Sequence, residues 1–276
     1  ALIAAGGTGG QISVTSGGRT SITSLQAYGG NAPDGATPGD GGRVNVTSSG
    51  GSISTGRVTT QAGYPGGGPG GSGGPVTLSA QTDLTVADQL TTSGTSANGT
   101  VDPPRTGGSA GSVLLRAATG TLTLGDTVRA DGGTGAAHPV NGVPGARGGN
   151  GGRIDVVAHA LGQIVALSAH GGSGGDYGDD QGPGGAGGAI YAWTEASLFD
   201  DQKLVDTDGG SGNPVGASGG KLREQSPSGA AIDPAGTLSF ASRSPDAQGF
   251  RVLRSVAGGP PEAVLATTAT SGLKPP

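Results

Sequence analysis

Three aspartates, Asp176, Asp179 and Asp180, lie within Gly171–Gln181 (GGSGGDYGDDQ). Carboxylates at this spacing, joined by loop carbonyls, make a candidate site for one Ca²⁺. Gly171–Tyr177 also satisfies the G-G-x-G-x-D-x core of calcium-binding nonapeptide repeats. The match occurs once, whereas such sites are built between tandem copies, so a solvated acidic loop is the alternative. No other cofactor is expected. Tyr177, Tyr191 and Trp193 follow close by. Exposed, they would be a ligand-binding platform on which a sugar ring could stack; the alternative is that a loop covers them.

A second group, Arg147, Arg153, Asp155, His159 and His170, mixes basic residues with one carboxylate. Lyase chemistry on a polysaccharide needs a base for the proton and a cation for the developing charge. Against that use, Arg153 and Asp155 alternate with Ile154 and Val156, so they fall at outward strand positions where charge is expected in any case. No paired carboxylates, Ser-His-Asp set or phosphate loop emerges. The Gly-Gly pairs lack the strand-to-helix context of nucleotide-binding loops. The expectation is a protein without catalytic residues.

What must position these groups is a repeat. A Gly-Gly pair precedes a short apolar segment in GGRVNV (Gly41–Val46), GGPVTL (Gly73–Leu78), GGRIDV (Gly151–Val156), GGAIYA (Gly187–Ala192) and GGKL (Gly219–Leu222). The first apolar residues are Ile12, Val44, Val76, Val113, Ile154, Ile190 and Leu222, at intervals of 32, 32, 37, 41, 36 and 32 residues. Periods of this size mark solenoids. The segments 11–28, 43–62, 75–92, 112–131, 153–170 and 189–208 are 18 or 20 residues long, whereas the Gly-rich stretches between them vary from 12 to 21. A constant unit with a variable insert means a fixed cross-section with loops leaving from one side.

Each unit carries an in-out-in pair such as Val44 and Val46, the period of a strand. A second apolar position follows at Ile22, Ile53, Leu84, Leu122, Ile164 and Leu198. A third comes at Leu25, Val58, Leu90, Val128, Leu167 and Leu204. Three short strands per turn predict an all-β, single-stranded parallel β-helix, a β-solenoid of about seven coils with Gly-rich inserts on one side and no helix. The domains expected are 1–232 for the solenoid and 233–276 for a small C-terminal β segment. A β-sandwich would also have short strands and Gly-Pro turns, but not the constant unit with one variable insert. The inserts, such as YPGGGPGGSGGP (Tyr64–Pro75), have the Gly-Gly-X spacing with Pro that suits polyproline-II chains, and are expected to stack as a ridge.

Composition agrees with a narrow core. Gly contributes 62 of 276 residues and Pro 18, while aromatic residues are 3% and charged residues 13%. With no Cys, disulfides, zinc-thiolate sites and cysteine nucleophiles are excluded. No apolar run of 18 residues spans a membrane. Net charge is −5 with Lys and Arg scattered singly, so nucleic acid is not an expected partner. With no initiator Met, the chain reads as a piece of a longer product. Low charge, abundant Gly, Ser and Thr, and no Cys predict an exported protein, extracellular or at a bacterial cell surface.

On this pattern, residues 1–232 resemble the Gly-rich, GGxGG-containing β-helix proteins of bacterial cell surfaces, and the ridge resembles the polyglycine-type sandwiches of some phage tail adhesins. After the Gly-Gly framing stops, Phe250–Ser255 (FRVLRS) and Val264–Thr267 (VLAT) resemble part of a fibronectin type III-like domain. About 40 residues is half such a domain, so a cap or exchange element is the other reading. The resemblance implies a structural or adhesive protein. End coils of a solenoid expose unpaired strand edges and apolar core, and ALIAAGGTGG (Ala1–Gly10) begins mid-repeat, so subunits are expected to stack end to end into a fibre or homo-oligomer. The competing expectations are a carbohydrate-binding or carbohydrate-active β-helix with a surface glycan as partner, and a tail-fibre-type recognition module.

Overall fold

A computed structural model describes residues 6–97, 103–140, 143–176, 181–194, 205–219, 221–225, 228–232, 238–241, 249–254 and 262–268. Among them there is no helix. The chain divides into two units, Ala1–Glu224 and Gln225–Pro276. In the smaller unit, β15 (Ser228–Ile232) pairs antiparallel with β16 (Leu238–Ala241), and β17 (Gly249–Arg254) with β18 (Glu262–Thr268).

The larger unit is a β-solenoid. Its strands are β1 (Ile12–Ser16) and β2 (Thr20–Gln26), then β3 (Val44–Ser48) and β4 (Ile53–Thr59), then β5 (Val76–Ala80), β6 (Leu84–Val86) and β7 (Leu90–Thr91). After these come β8 (Val113–Leu124) and β9 (Val128–Arg129), β10 (Arg153–Leu161) and β11 (Leu167–Ser168), and β12 (Ala189–Thr194) and β13 (Val205–Asp206). β14 (Lys221–Gln225) pairs with β12. The strand pairs from β1 to β13 are parallel, which excludes an antiparallel sandwich.

The first face aligns Ile12, Val44, Val76, Val113, Ile154 and Ile190 in one register, the residues marked by the sequence repeat. Five full turns therefore separate Ile12 from Ile190. The third face aligns Leu25, Val58, Leu90, Val128, Leu167 and Val205. Val205 occupies the level expected of Leu204, which lies outside the described residues, as does Leu198. Inward Val, Leu and Ile from all three faces form one core, with Val44, Leu78, Leu115 and Ile154 fully buried.

The second face departs from the expected levels. Thr20 aligns with Ile53, and Ile22 with Thr55, so Ile22 and Ile53 are not equivalent. β2 and β4 run unbroken through the second and third faces. The inward positions are Thr20, Ile22 and Leu25 in β2 and Ile53, Thr55 and Val58 in β4, a step of two followed by a step of three across the corner between the faces. Thr20 and Thr55 consequently point into the core, and neither Oγ1 has a hydrogen-bond partner.

The described parts of the Gly-rich inserts leave the third face of one turn and return to the first face of the next, as an outgoing and a returning leg. The root is closed by one repeated bond. Gly42, Gly74, Gly111, Gly152, Gly188 and Gly219 donate to the carbonyls of Ala27, Thr60, Thr92, Ala130, Ala169 and Thr207 at 2.6–2.8 Å. At Thr60 the side chain returns the bond, Oγ1 donating to the Gly74 carbonyl at 2.7 Å.

Beyond the root, partners repeat every third residue. Gly132 and Gly135 donate to His170 and Ser173 on the next outgoing leg, while Gly133 and Ala136 donate to Gly108 and Arg105 on a returning leg. Ala146 and Gly149 in turn donate to Ala136 and Gly133. One residue in three faces outward, and its N–H needs another acceptor. The preceding turn supplies it from a side chain: Asn31 Oδ1 to Tyr64 N–H at 2.9 Å, Asp40 Oδ1 to Ser72 N–H at 2.8 Å, and Asn150 Oδ1 to Ala186 N–H at 3.0 Å. Pro75, Pro183 and Pro214 stand in the outward column of the returning legs, where a residue without an N–H leaves nothing unsatisfied.

The buried Thr55 hydroxyl lies level with Ile22 and Val86. An unpaired buried hydroxyl costs about 1–3 kcal/mol, so Thr55→Val is expected to stabilise the solenoid by roughly 1 kcal/mol. Urea denaturation would register this as a higher midpoint at unchanged slope.

Candidate functional site

Of the candidate calcium ligands, Asp176 is exposed on an outgoing leg. Asp179, Asp180 and Tyr177 lie outside the described residues. Among the described residues no three His, Asp or Glu side chains converge as metal ligands.

Tyr191 and Trp193 are on β12, in register with Asp155 and Val157 of β10. They alternate with the buried Ile190 and Ala192, so they stand on the outer surface of the first face, half-buried. Arg153 and Asp155 are close to this surface but occupied with each other. Arg153 Nε donates to both carboxylate oxygens at 2.8 Å, and Nη2 lies 2.7 Å from Oδ1. That hydrogen bond and the adjacent charge raise the guanidinium pKa, fixing its charge.

The other members of the basic group do not join them. Arg147 is on a returning leg, bonded to Asn150 Oδ1. His170 is on an outgoing leg, where its backbone N–H donates to Asp131 Oδ1. His159 is exposed near the end of β10. The five residues are thus dispersed over a strand and two legs.

The structure instead brings together residues from four successive turns, Tyr28, Arg57 to Gln61, Gln89 to Ser93, and Arg129 with Asp131. Where the outgoing legs leave the third face, an open groove of about 390 Å³ is lined by Tyr28, Arg57, Gln61, Gln89, Arg129 and Asp131, with Thr59, Thr91 and Ser93 at its floor and side. It continues through Tyr28 and Gln61 into a depression of about 790 Å³ over the outer surface of the legs, beside Asn31, Tyr64 and Ser96. Tyr28 is 48% and Tyr64 78% exposed.

The solenoid register builds this surface. Tyr28, Gln61, Ser93 and Asp131 each follow the inward residue of the third face by three positions, and stack as one column along the axis. Arg57 and Gln89 precede that residue by one, while Thr59, Thr91 and Arg129 follow it by one. The columns are firmly held: Ser93 Oγ accepts from Asp131 N–H at 3.2 Å, and Asp131 Oδ1 accepts from Ser168 Oγ and His170 N–H.

The resulting wall offers guanidinium and amide donors, hydroxyls and two exposed phenol rings. Among the described residues Asp131 is the only acidic one lining it, whereas glycoside hydrolysis uses a pair of carboxylates. A signal for it does exist in the sequence, as polar and aromatic residues at fixed offsets from Leu25, Val58, Leu90 and Val128, and is read only once the third-face register is known.

Comparison with protein-family models, with curated proteins and with solved structures finds no match to this chain.

Proposed function

We propose that this chain is an extracellular adhesive β-solenoid, in which the stacked turns hold a glycan-binding groove in fixed shape. The observation that carries the reading is the groove itself, with Tyr28 and Tyr64 exposed beside a row of amide and guanidinium donors. Aromatic faces that accept the apolar side of a sugar, flanked by polar groups that accept its hydroxyls, suit carbohydrate. One carboxylate with one oxygen already bonded suits binding better than cleavage.

In this reading the inserts are polyproline-II legs stacked as a ridge on one side of about seven coils, β14 opening the last. The C-terminal hairpin is a partial fibronectin type III-like module or an exchange element. A surface of bacterial origin remains the expected location.

The test is a glycan-array screen followed by titration of a bound glycan. Tyr28→Ala is expected to weaken binding at least tenfold without lowering the melting temperature, because the ring is half-exposed. Emission of Trp193, the one tryptophan, should stay constant on binding, since it lies on the first face. A shift in that emission with binding unaffected by Tyr28→Ala would move the site to Tyr191 and Trp193.

A second reading is end-to-end assembly into a fibre. A solenoid end exposes core and unpaired strand edge that another turn can cover. Negative-stain images of the chain at high and low concentration are expected to show rods that lengthen with concentration. Single short rods at every concentration would discard this second reading.

A further inference from the structure

Resting on the adhesive reading above, we infer that the groove takes an extended polysaccharide bearing oxyanions, carboxylate or sulfate, laid along the solenoid axis with Arg57 and Arg129 as its charged contacts. The chain carries a formal charge of −5, yet the groove reverses that sign, with two arginines against one aspartate. Both guanidinium groups belong to exposed residues, and the ion pair found among the described residues is Arg153–Asp155, on another face. A guanidinium presents a planar fork of donors that matches a carboxylate or sulfate in bidentate fashion. Arginines held on strands, with no acceptor among the described residues, are therefore placed for an external one.

The spacing selects a chain rather than a single anion. Arg57 is level with Gln89, one turn on, and Arg129 is one turn further and on the other side of the inward residue. Parallel strands stack about 4.8 Å apart, so the two arginines are separated by roughly 10 Å along the axis. One small anion does not bridge that distance, whereas charged groups on alternate sugars of an extended polysaccharide do. Between them the floor offers Thr91 and Gln89, which suit hydroxyls. Tyr28 and Gln61 begin the same column at the near end, and Tyr64 lies one turn on and three residues further out along its leg. Asp131 closes the far end, where its Oδ1 is taken by Ser168 and His170 and the carboxylate repels an anion beyond that level. The charged stretch of the site thus covers the turns from Arg57 to Arg129.

The experiment titrates the full chain with three probes of matched length: oligogalacturonate for carboxylate, sulfated dextran oligosaccharide for sulfate, and neutral dextran oligosaccharide. At low salt the account expects one or both anionic probes to bind at least tenfold more tightly than the neutral one, with affinity falling as salt rises. Which of the two binds identifies the oxyanion. Arg57→Gln and Arg129→Gln should each weaken that binding at least fivefold and leave the melting temperature unchanged. Arg43→Gln, an exposed arginine on a returning leg, should have no effect. Equal binding of all probes, or the same loss from Arg43→Gln as from the groove variants, overturns the inference while the adhesive reading stands. Failure of every probe here together with a blank glycan array overturns both.

Discussion

The structure depends on backbone meeting backbone without side chains between. In the ridge, a Cβ added to Gly149 would lie 1.9 Å from the Gly108 carbonyl oxygen, one on Gly172 2.0 Å from that of Gly133, and one on Gly185 1.9 Å from that of Gly149. None of these contacts admits a methyl group. The legs approach closely enough for hydrogen bonds in three directions only because two of every three positions carry nothing. Glycine loses more chain entropy on ordering than any other residue, and here the bonds to neighbouring legs offset that loss.

This constraint explains the Gly-Gly signature that frames the repeat. The second glycine closes the root of its insert, as Gly74 does on Thr60. The first faces the next turn: a Cβ on Gly73 would meet the Thr92 carbonyl oxygen at 1.8 Å. With each root closed, the returning leg delivers the chain to the first face at a fixed level, and inserts of different length leave the core register untouched. A core of few large side chains suffices because every turn is clamped on two sides, by the strands and by the legs. The groove is a product of the same arrangement. It forms where the third face turns into the outgoing legs, and its residues are aligned because both surfaces share one register.

Legibility in the sequence followed the same physics. The first face could be read to the residue, since Gly-Gly marks its start and Val, Ile and Leu alternate after it. The second was legible where apolar residues mark it, as Ile53, Leu84 and Leu122 do in one register, and illegible at Thr20 and Thr55, polar residues at inward positions. The third was off by one at Val205, where Leu204 and Val205 are both apolar neighbours. Tyr191 and Trp193 stand outside the coil because they alternate with the inward Ile190 and Ala192. The groove went unread since Tyr28, Arg57, Gln89 and Arg129 are ordinary polar and aromatic residues in isolation, and only the turn-to-turn register makes them neighbours. The basic group looked concentrated for the opposite reason, being close in sequence and divided between strand and legs in space.

The central claim is that the glycine legs are a hydrogen-bonded lattice as ordered as the sheets. Hydrogen exchange resolved along the chain tests it most directly, through the amides of Gly149, Gly152, Gly172 and Gly188, which donate at 2.6–2.8 Å. The account predicts protection of these amides comparable to that of Val76 and Ile154 in the core strands, lost together with it on unfolding. Exchange at the rate of a free glycine peptide while the strands stay protected would contradict it, leaving a bare solenoid with loose loops.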